Sequence, residues 1–269
     1  MAEQKPPRPR PARPPARPTR PPLKPFILSN NEYRRMKEAG IRSWNERTGD
    51  SPIPADLERF LADALSLDWV AKAGKAIELG CGTGPIARWL ADRGWSATGV
   101  DISPTAVQMA RAQADDRDVT FFVGDVTNLI RIPDAAFDLA VDGLCFHFIT
   151  EPADRAAFLS EARRILRPGG CFVLLSMALP VLPEASKRLP GPIRDGTVLF
   201  KAEDGPRYEG AVELDGEWHV PVAKLEPWQD LLKALEQAGL EPLLFRVALC
   251  RPEDTISFLT VAARRRNSV

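Results

Sequence analysis

The fold is decided by one segment, Ala76-Ile77-Glu78-Leu79-Gly80-Cys81-Gly82-Thr83-Gly84-Pro85. Its apolar start is typical of a strand, three glycines in five residues predict a tight turn, and proline favours the first position of a helix. A glycine-rich turn between a strand and a helix is where doubly wound sheets bind nucleotides, because the backbone can approach the ligand closely. Taken alone the turn is a weak indicator, since glycines also occur there for steric reasons.

The chain around this segment alternates between strands and helices. Strands are predicted at 76–80, 96–101, 119–123, 137–142 and 171–177, and helices from Pro85 to about Asp92, from Pro104 to about Ala114 and over 153–167. Such alternation requires right-handed crossovers and gives a parallel sheet covered on both faces. Two more strand-like runs, 242–249 and 256–263, predict an antiparallel edge pair. The sequence therefore predicts an α/β fold with a doubly wound, mostly parallel, seven-stranded Rossmann-like sheet.

Five parts are predicted along the chain. Residues 1–25 contain ten prolines and five arginines, which predicts a disordered basic tail. Residues 26–70 form an N-terminal helical cap, 71–178 form the core of the sheet, and 179–226 form an insertion after the fifth strand, rich in proline and glycine. Residues 227–269 carry a helix at 228–238 and the edge strands. The first helical pattern of the cap includes Tyr33, Met36, Ile41 and Trp44, and we expect cap and insertion to cover the ligand site and select the substrate.

Composition narrows the classes of ligand. Lys+Arg and Asp+Glu are both 36, so no global charge favours nucleic acid or an anionic membrane. The cysteines Cys81, Cys145, Cys171 and Cys250 lie far apart, which predicts neither a metal site nor a disulfide framework. The apolar runs have the length of strands, and the first residues lack a signal-peptide core. We therefore expect a cytoplasmic protein with no membrane partner, no metal, and a small molecule or a protein as its substrate.

Two carboxylates follow the glycine turn at the ends of predicted strands. Asp101 stands 21 residues after Gly80, where a carboxylate accepts hydrogen bonds from both ribose hydroxyls of an adenosine ligand. Asp125 is followed by the apolar Val126 and ends the third strand, where the exocyclic amine of adenine would lie. The alternative for Asp125 is a turn residue that caps a short helix.

A dinucleotide-binding dehydrogenase uses the same sheet and the same acid. Its fingerprint has glycine at the first, third and sixth positions, but the sixth position here is Pro85 and Gly84 comes one place early. The turn therefore fits GxGxG and not GxGxxG. This spacing favours a ligand without a pyrophosphate group.

Five segments together resemble the motifs of class I S-adenosylmethionine-dependent methyltransferases, in their usual order. They are Ile77-Glu78-Leu79-Gly80-Cys81-Gly82-Thr83-Gly84, Gly99-Val100-Asp101-Ile102-Ser103, Gly124-Asp125-Val126, Phe137-Asp138-Leu139-Ala140-Val141-Asp142 and Arg163-Arg164-Ile165-Leu166-Arg167-Pro168-Gly169-Gly170. The resemblance covers about residues 70–178 and implies S-adenosylmethionine as cofactor. It implies that Glu78 and the loop Gly80, Cys81, Gly82, Thr83 and Gly84 face the methionine end of this donor. Asp101 with Ile102 would hold the ribose, Asp125 with Val126 would border the adenine, and Asp142 with Gly143 would complete the donor site.

The segment after the fourth strand often ends in one or two histidines in this family. Here Asp142-Gly143-Leu144-Cys145-Phe146-His147-Phe148 carries one, and Phe148 replaces the second. We predict His147 as a candidate base for a hydroxyl acceptor, with activity rising with pH through about 6.5, the ordinary histidine pKa. The alternative is a structural histidine bonded to the backbone. His219, in the insertion, is a second candidate whose alternative is an exposed loop position.

The resemblance predicts a methyltransferase that acts on a hydroxyl, amine or other nucleophile of a small molecule. One alternative is a methyltransferase for protein or RNA that uses the basic tail, and another is a non-catalytic nucleotide-binding protein. Nucleic acid is disfavoured, since Asp142-Gly143-Leu144-Cys145 is unlike the NPPY tetrapeptide of base methylation. The acceptor atom and the oligomeric state do not follow from the sequence.

Overall fold

The computed structural model describes residues 23, 28–48, 52–179, 191–248 and 256–267. The helices of the described ranges are α1 (Ser29–Glu38), α2 (Ala55–Ser66), α3 (Pro85–Ala91), α4 (Pro104–Arg111), α5 (Pro152–Ile165) and α6 (Trp228–Gln237). The strands are β1 (Gly74–Leu79), β2 (Trp95–Asp101), β3 (Val119–Val123), β4 (Phe137–Gly143), β5 (Leu166–Ala178), β6 (Ile193–Arg194), β7 (Thr197–Lys201), β8 (Val212–Leu214), β9 (Glu217–Lys224), β10 (Leu240–Ala248) and β11 (Ser257–Arg265). Within these ranges no helix has the length and apolar character needed to cross a bilayer.

The main sheet has seven strands in the order β10-β11-β5-β4-β1-β2-β3. Strands β1 to β5 pair in parallel, whereas β11 pairs antiparallel with both β5 and β10. The predicted α/β fold with an antiparallel edge pair is confirmed. The chain builds outward from β1 to β3 and then returns to β4 on the other side of β1, so the strand order reverses between β1 and β4. Ligands of such sheets bind at the carboxyl ends of the strands at this reversal.

Helices cover both faces of the sheet, which explains why its central strands are nearly continuous apolar runs. Adjacent residues of a strand point to opposite faces. On β1, Ile77 and Leu79 belong to an apolar cluster with Phe158 of α5. Ala76, which precedes Ile77, belongs to a second cluster, with Phe60 of α2, on the opposite face.

Helix boundaries follow local chemistry. Ser103 caps α4 because its hydroxyl oxygen accepts a hydrogen bond from the Ala106 amide at 3.1 Å, and Pro104 takes the first helical position. Helix α5 ends at Ile165, before Pro168. Strand β5 begins five residues earlier than predicted, at Leu166, and its pairing with β4 shifts register before Cys171.

The first helix is shorter than the predicted pattern. Helix α1 ends at Glu38, and Gly40 adopts a left-handed conformation with φ of +72°. The amide of Ile41 donates to the Met36 oxygen at 2.9 Å and the amide of Gly40 donates to the Lys37 oxygen at 3.2 Å. These two bonds close a Schellman turn, so Ile41 and Trp44 lie beyond the helix.

The described part of the insertion forms a separate antiparallel sheet with the order β6-β7-β9-β8. Leu23 lies against this sheet, where its amide donates to the Arg207 oxygen at 2.8 Å and its oxygen accepts from the Glu209 amide at 2.9 Å. One residue of the predicted tail is therefore paired with the insertion. Residues 1–22 and 24–25 of that tail lie outside the described residues, as does Cys250.

Candidate functional site

The loop between β1 and α3 lies at the strand-order reversal. Gly80, Gly82 and Gly84 have φ values of +67°, +51° and +74°, a region that disfavours every residue with a Cβ atom. Three alternate positions of one short loop therefore require glycine for backbone conformation alone. The chain turns here and presents the loop to the carboxyl edge of the sheet.

Side chains from three distant segments press against these glycines. A Cβ atom on Gly80 would lie 2.4 Å from the Cys145 sulfur, and one on Gly82 would lie 2.5 Å from the Tyr33 hydroxyl oxygen. On Gly84 it would lie 2.3 Å from the Phe121 ring. Any side chain at these positions would therefore displace the segment after β4, helix α1 or strand β3.

The remaining loop residues fix the loop to its neighbours. Cys81 is buried, and its amide donates to the Val100 oxygen of β2 at 2.9 Å. Thr83 is also buried, and its carbonyl oxygen accepts from Arg88 Nη1 at 2.5 Å. Hydrogen bonds thus join the loop to both β2 and helix α3.

Asp101 joins the loop to the start of α4. Its Oδ2 accepts from the Gly82 amide at 2.8 Å and its Oδ1 accepts from the Ser103 amide at 2.8 Å, while Ile102 between them is half-buried. Burial raises the pKa of this carboxyl, and the two amide bonds oppose the rise. Each carboxylate oxygen has a further lone pair, so Asp101 can also accept from the hydroxyls of a ribose.

Glu78 lies beneath the loop, at the first turn of α3. Its Oε2 accepts from the Ala87 amide at 2.7 Å. Burial raises the pKa of Glu78 to about 8, although the helix amides lower it. A buried acid of this kind gains its charge when a cation comes near it.

Asp125 forms a turn after β3. Its Oδ1 accepts from both the amide of Thr127, at 2.8 Å, and the hydroxyl of the same residue, at 2.7 Å. This is the turn geometry of the alternative interpretation, and Val126 beside it is buried. The proposed contact with adenine stays a prediction.

Asp142 organises the segment after β4. Its carboxylate accepts from the amides of Cys145, at 2.7 Å, and Phe146, at 2.8 Å, and burial raises its pKa to about 7. A Cβ atom on Gly143 would lie 2.3 Å from the Ile86 side chain. Both residues pack within the protein, so their predicted contact with the donor stays a prediction.

His147 is fully buried, and neither ring nitrogen has a hydrogen-bond partner among the described residues. Burial lowers its pKa to about 3, and the charge of Arg155 lowers it further, so the ring is neutral at physiological pH. The alternative of a histidine bonded to the backbone is therefore wrong. An unpartnered buried imidazole is costly, because neither ring nitrogen recovers the hydrogen bonds that it makes with water in the unfolded chain.

Arg155 of α5 holds the His147 segment in place, and the sequence analysis did not identify it. Its Nη1 donates to the oxygens of Phe146, at 3.0 Å, and Ile149, at 2.9 Å. Its Nη2 binds Glu226, at the end of the insertion, at 2.5 Å. The signal was available, because Arg155 lies on the buried apolar face of α5 and a charge there requires a partner.

His219 lies in β9, opposite Val212 and Lys201 of the neighbouring strands. It is half-buried, and its Nδ1 lies 3.0 Å from the Glu217 oxygen. Its role as a base stays a prediction.

Helix α1 lies over the glycine loop and α4. The Asn30 Oδ1 accepts from the Ser103 hydroxyl at 2.7 Å, and the Tyr33 hydroxyl lies at Gly82. The first helix of the cap therefore borders the predicted donor site. The sequence predicted a cap over the acceptor and gave no sign of this contact with the donor site.

Comparison with known families agrees with this geometry. Residues 77–174 match a family model described as a methyltransferase domain. Residues 77–174 are therefore similar to a methyltransferase domain, as the motifs in this segment predict. This similarity supports S-adenosylmethionine as the cofactor, and the close-packed glycine loop and the further lone pairs of Asp101 fit it. The dinucleotide alternative is not supported.

Relatives of the methyltransferase domain carry out different reactions. The chain is 34% identical over 106 residues to a 2-heptyl-1-hydroxyquinolin-4(1H)-one methyltransferase of Mycobacteroides abscessus, covering 38% of this chain and 45% of the relative. It is 32% identical over 149 residues to an S-adenosyl-L-methionine-dependent Diels-Alderase of Talaromyces variabilis, covering 52% and 49%. The chain thus spans about half the length of the curated relatives it matches first.

Solved structures share the fold. The 1,6-didemethyltoxoflavin-N1-methyltransferase of Burkholderia thailandensis, which holds 1,6-didemethyltoxoflavin and S-adenosylhomocysteine, superposes with a TM-score of 0.59. Identity is 17%, and the match covers 93% of each chain. The architecture therefore extends well beyond the 77–174 segment.

Proposed function

We propose that this protein transfers a methyl group from S-adenosylmethionine to a nucleophilic atom of a small molecule. The observation that carries the proposal is the unit of Asp101, Gly82 and Ser103, a buried carboxylate bonded to the glycine loop on one side and to a helix start on the other. It lies inside a methyltransferase domain and at the strand-order reversal.

Each part of the donor has candidate partners. Asp101 and Ile102 would hold the ribose, and Asp125 with Val126 would border the adenine. The loop from Gly80 to Gly84 would lie along the methionine end. Glu78, whose pKa is raised to about 8 by burial, would gain its charge beside the positive groups of the donor.

The donor supplies a methyl group on a positively charged sulfur. Methyl transfer from it is an in-line displacement, so the protein contributes alignment and exclusion of water, which can be worth about 7–11 kcal/mol. The Cys145 side chain lies against Gly80, and His147 follows two residues later. We place the acceptor between this segment and the donor.

His147 would orient the acceptor instead of acting as a strong base. A histidine whose pKa is about 3 removes a proton poorly near neutral pH, because general-base efficiency falls with basicity. Its neutral ring can still accept a hydrogen bond from an acceptor hydroxyl or amine. The predicted rise of activity through pH 6.5 is therefore replaced by a profile without a histidine inflection there.

The class of acceptor is also a proposal. Several relatives act on small or carrier-bound molecules, among them a hydroxyquinolone, a malonyl-carrier protein and a phytyl hydroquinone. The balanced charge of the chain gives no support to nucleic acid as partner. We propose a small molecule acceptor and a cytoplasmic location.

The test is transfer of an isotopically labelled methyl group. The full chain is incubated with S-adenosylmethionine labelled in that methyl group and with a metabolite extract, and mass spectrometry identifies products that carry the label. An Asp101→Ala variant provides the background. We expect labelled product with the wild-type chain and none with Asp101→Ala. In calorimetry, we expect the wild-type chain to bind S-adenosylhomocysteine and not NAD.

Two other results would be informative. Binding of NAD without binding of S-adenosylhomocysteine would overturn the proposal. Donor binding with no labelled product, together with turnover of an acceptor, would indicate a reaction without methyl transfer, of the kind named for the Diels-Alderase relative.

A further inference from the structure

The turn after β4, residues 144–149, is held through its backbone from two sides. On one side, the Asp142 carboxylate accepts from two successive amides of the turn, at 2.7 and 2.8 Å. On the other side, Arg155 Nη1 donates to the oxygens of Phe146, at 3.0 Å, and Ile149, at 2.9 Å. An anion thus satisfies amides of the turn and a cation satisfies its carbonyls. The backbone around the buried histidine of the turn is thereby fixed.

The same turn is strained at its first residue. Leu144 has a φ of +81°, a conformation that disfavours a residue with a bulky side chain. Its amide donates to the Leu175 oxygen of β5 at 3.1 Å. Strained residues of this kind persist only where the surrounding structure holds them. Releasing either side of the turn should therefore let the turn relax and move His147.

The cation that holds the turn depends on a carboxylate of another segment. Arg155 is buried, and its guanidinium lies over the Phe146 ring, 3.9 Å from the ring centroid. Its Nη2 forms an ion pair with Glu226 Oε2 at 2.5 Å. Burial lowers the pKa of Arg155, and the charge of Glu226 opposes this change. A buried guanidinium without a partner is strongly disfavoured, so loss of the Glu226 charge should turn Arg155 toward water and away from the turn.

Glu226 lies where the two ends of the insertion meet. Its backbone oxygen accepts from the Leu179 amide at 2.9 Å. Between these ends, strand β9 packs against the turn. Gly210 of the insertion lies so near Glu151 that a Cβ atom on it would be 3.1 Å from that carboxylate. The ion pair of Glu226 with Arg155 therefore ties the insertion to the backbone of the turn.

We propose that Glu226 is a positioning residue: by holding Arg155 it fixes the strained turn, and so keeps the imidazole of His147 in the place where it meets the acceptor. The inference rests on the proposed function, which places the acceptor between this turn and the donor. The insertion then contributes to methyl transfer through one side chain, because the turn that this side chain holds belongs to the core.

The test compares four variants of the full chain. Glu226→Gln removes the charge and keeps the size of the side chain, whereas Glu226→Asp restores the charge. Arg155→Lys tests the same link from the other side, since lysine keeps the charge but lacks the fork that reaches both Glu226 and the turn. Glu217→Gln is the matched control, because Glu217 is another carboxylate of the insertion and forms an ion pair with Lys201 at the surface.

The first measurement is the protonation state of His147, read from nuclear magnetic resonance spectra of chains that carry isotopically labelled histidine. The chain has two histidines, His147 and His219, and a His147→Phe chain assigns the signals. Burial lowers the pKa of His147 to about 3, and the charge of Arg155 lowers it further, so the wild-type ring should be neutral at pH 5. The spectra report the folded molecules, so a loss of stability alone does not change them.

The second measurement is methyl transfer from labelled S-adenosylmethionine to the metabolite extract, with S-adenosylhomocysteine affinity measured by calorimetry. In Glu226→Gln and Arg155→Lys, we expect a His147 ring that is protonated at pH 5, because the released turn exposes it to water. Labelled product should fall about tenfold or more, while S-adenosylhomocysteine affinity changes by less than about twofold. Glu226→Asp should recover most of the product and the neutral ring, and Glu217→Gln should match the wild type.

Two outcomes would overturn the role of Glu226. One is a His147 ring that stays neutral at pH 5 in folded Glu226→Gln and Arg155→Lys chains. The other is a loss of product in Glu226→Gln that Glu226→Asp does not reverse. A wild-type chain that neither binds S-adenosylhomocysteine nor forms labelled product would instead refute the proposed function, and the ring spectra would still decide whether Glu226 holds the turn.

Discussion

The proposed donor side and the proposed acceptor side of the site are stabilised in different ways. On the donor side, Asp101 bonds to amides 19 and two residues away, Gly82 and Ser103. On the acceptor side, the segment around His147 is held by Arg155, which reaches 71 residues along the chain to Glu226. The bonds of Asp101 thus join two neighbouring strand-loop-helix units of the core, whereas the proposed acceptor side depends on the insertion.

The two sides also differ in how their polar groups are satisfied. Both carboxylate oxygens of Asp101 are bonded within the protein, so the donor side is organised before ligand binds. The ring nitrogens of His147 have no partner in the described chain. Asp101 is organised before ligand binds, whereas His147 lacks a hydrogen-bond partner. This difference fits a proposed site that binds the same donor in every reaction and an acceptor that differs between relatives.

The largest expected effect is on the acceptor side. Arg155→Met should lower the free energy of unfolding by about 3 kcal/mol, because Glu226 and the oxygens of Phe146 and Ile149 lose their partner. Arg246→Met, which breaks an exposed ion pair with Asp63, should cost less than about 1 kcal/mol. Urea unfolding measures both variants.

Donor affinity provides the second readout for Arg155→Met. Folded Arg155→Met protein should bind S-adenosylhomocysteine nearly as well as the wild type if the two sides are independent. Similar unfolding free energies for the Arg155 and Arg246 variants would contradict the assigned role of the buried pair.

On the donor side, Asp101→Ala should weaken S-adenosylhomocysteine binding by about 1–3 kcal/mol in calorimetry, since ribose hydroxyls lose a charged acceptor. The variant should also be less stable than the wild type, because the amides of Gly82 and Ser103 lose their partner. Asp138→Ala is the control. It removes a carboxylate near the start of β4, at the opposite end of the sheet, that accepts from the Lys75 amide at 2.9 Å, so it should lower stability and leave donor affinity unchanged. Unaltered affinity in a folded Asp101→Ala protein would make Asp101 a purely structural residue.

This difference between the sides also decides what the sequence could predict. The strands, the glycine loop and Asp101 follow from patterns within a short stretch, since hydrophobic periodicity and turn chemistry act locally. The seven-stranded sheet was predicted for the same reason. The observed ends of the helices differ from the predicted ends by a few residues. Helix ends depend on the hydrogen bonds of individual turns, such as the turn at Gly40.

Contacts between distant segments could not be predicted. Nothing near Tyr33 in sequence indicates that it meets Gly82, and His147 gives no sign that it lies wholly inside the protein. Burial lowers the pKa of His147 and raises the pKa of Tyr33. Arg155 was the exception, because its position on the apolar face of α5 was a detectable signal.

The pH dependence of stability tests the burial of His147. The folded-state pKa of about 3 lies below the ordinary value near 6.5, so between these values the unfolded chain binds more protons. The stability that the neutral ring provides is therefore present above pH 6.5 and is lost as pH falls below it, by about 2 kcal/mol at pH 5.

His147→Phe should remove this part of the pH dependence, measured as the unfolding free energy at pH 7 and pH 5. His219→Phe is the matched control, because His219 is the other histidine and lies half-buried in β9. An acid dependence in His147→Phe equal to that of the wild type would show that the ring is protonated in the folded protein. The acceptor-side account would then need revision.

The smallest effect concerns Leu23, the described residue of the predicted tail, which pairs with Arg207 and Glu209 of the insertion. Deleting residues 1–22 leaves this pairing in place, whereas deleting 1–25 removes it. Two backbone hydrogen bonds at the surface contribute about 1 kcal/mol in total, so only the longer deletion should lower the melting temperature, by a few degrees. Donor affinity should be the same in both shortened chains, because Asp101 and the loop lie elsewhere.

The KM for the acceptor, measured in both shortened chains, tests whether Leu23 affects the proposed acceptor side. If the insertion shapes the acceptor site, the longer deletion should raise the acceptor KM while the shorter one leaves it unchanged. Equal melting temperatures and equal KM values for the two shortened chains would remove Leu23 from any role in the site.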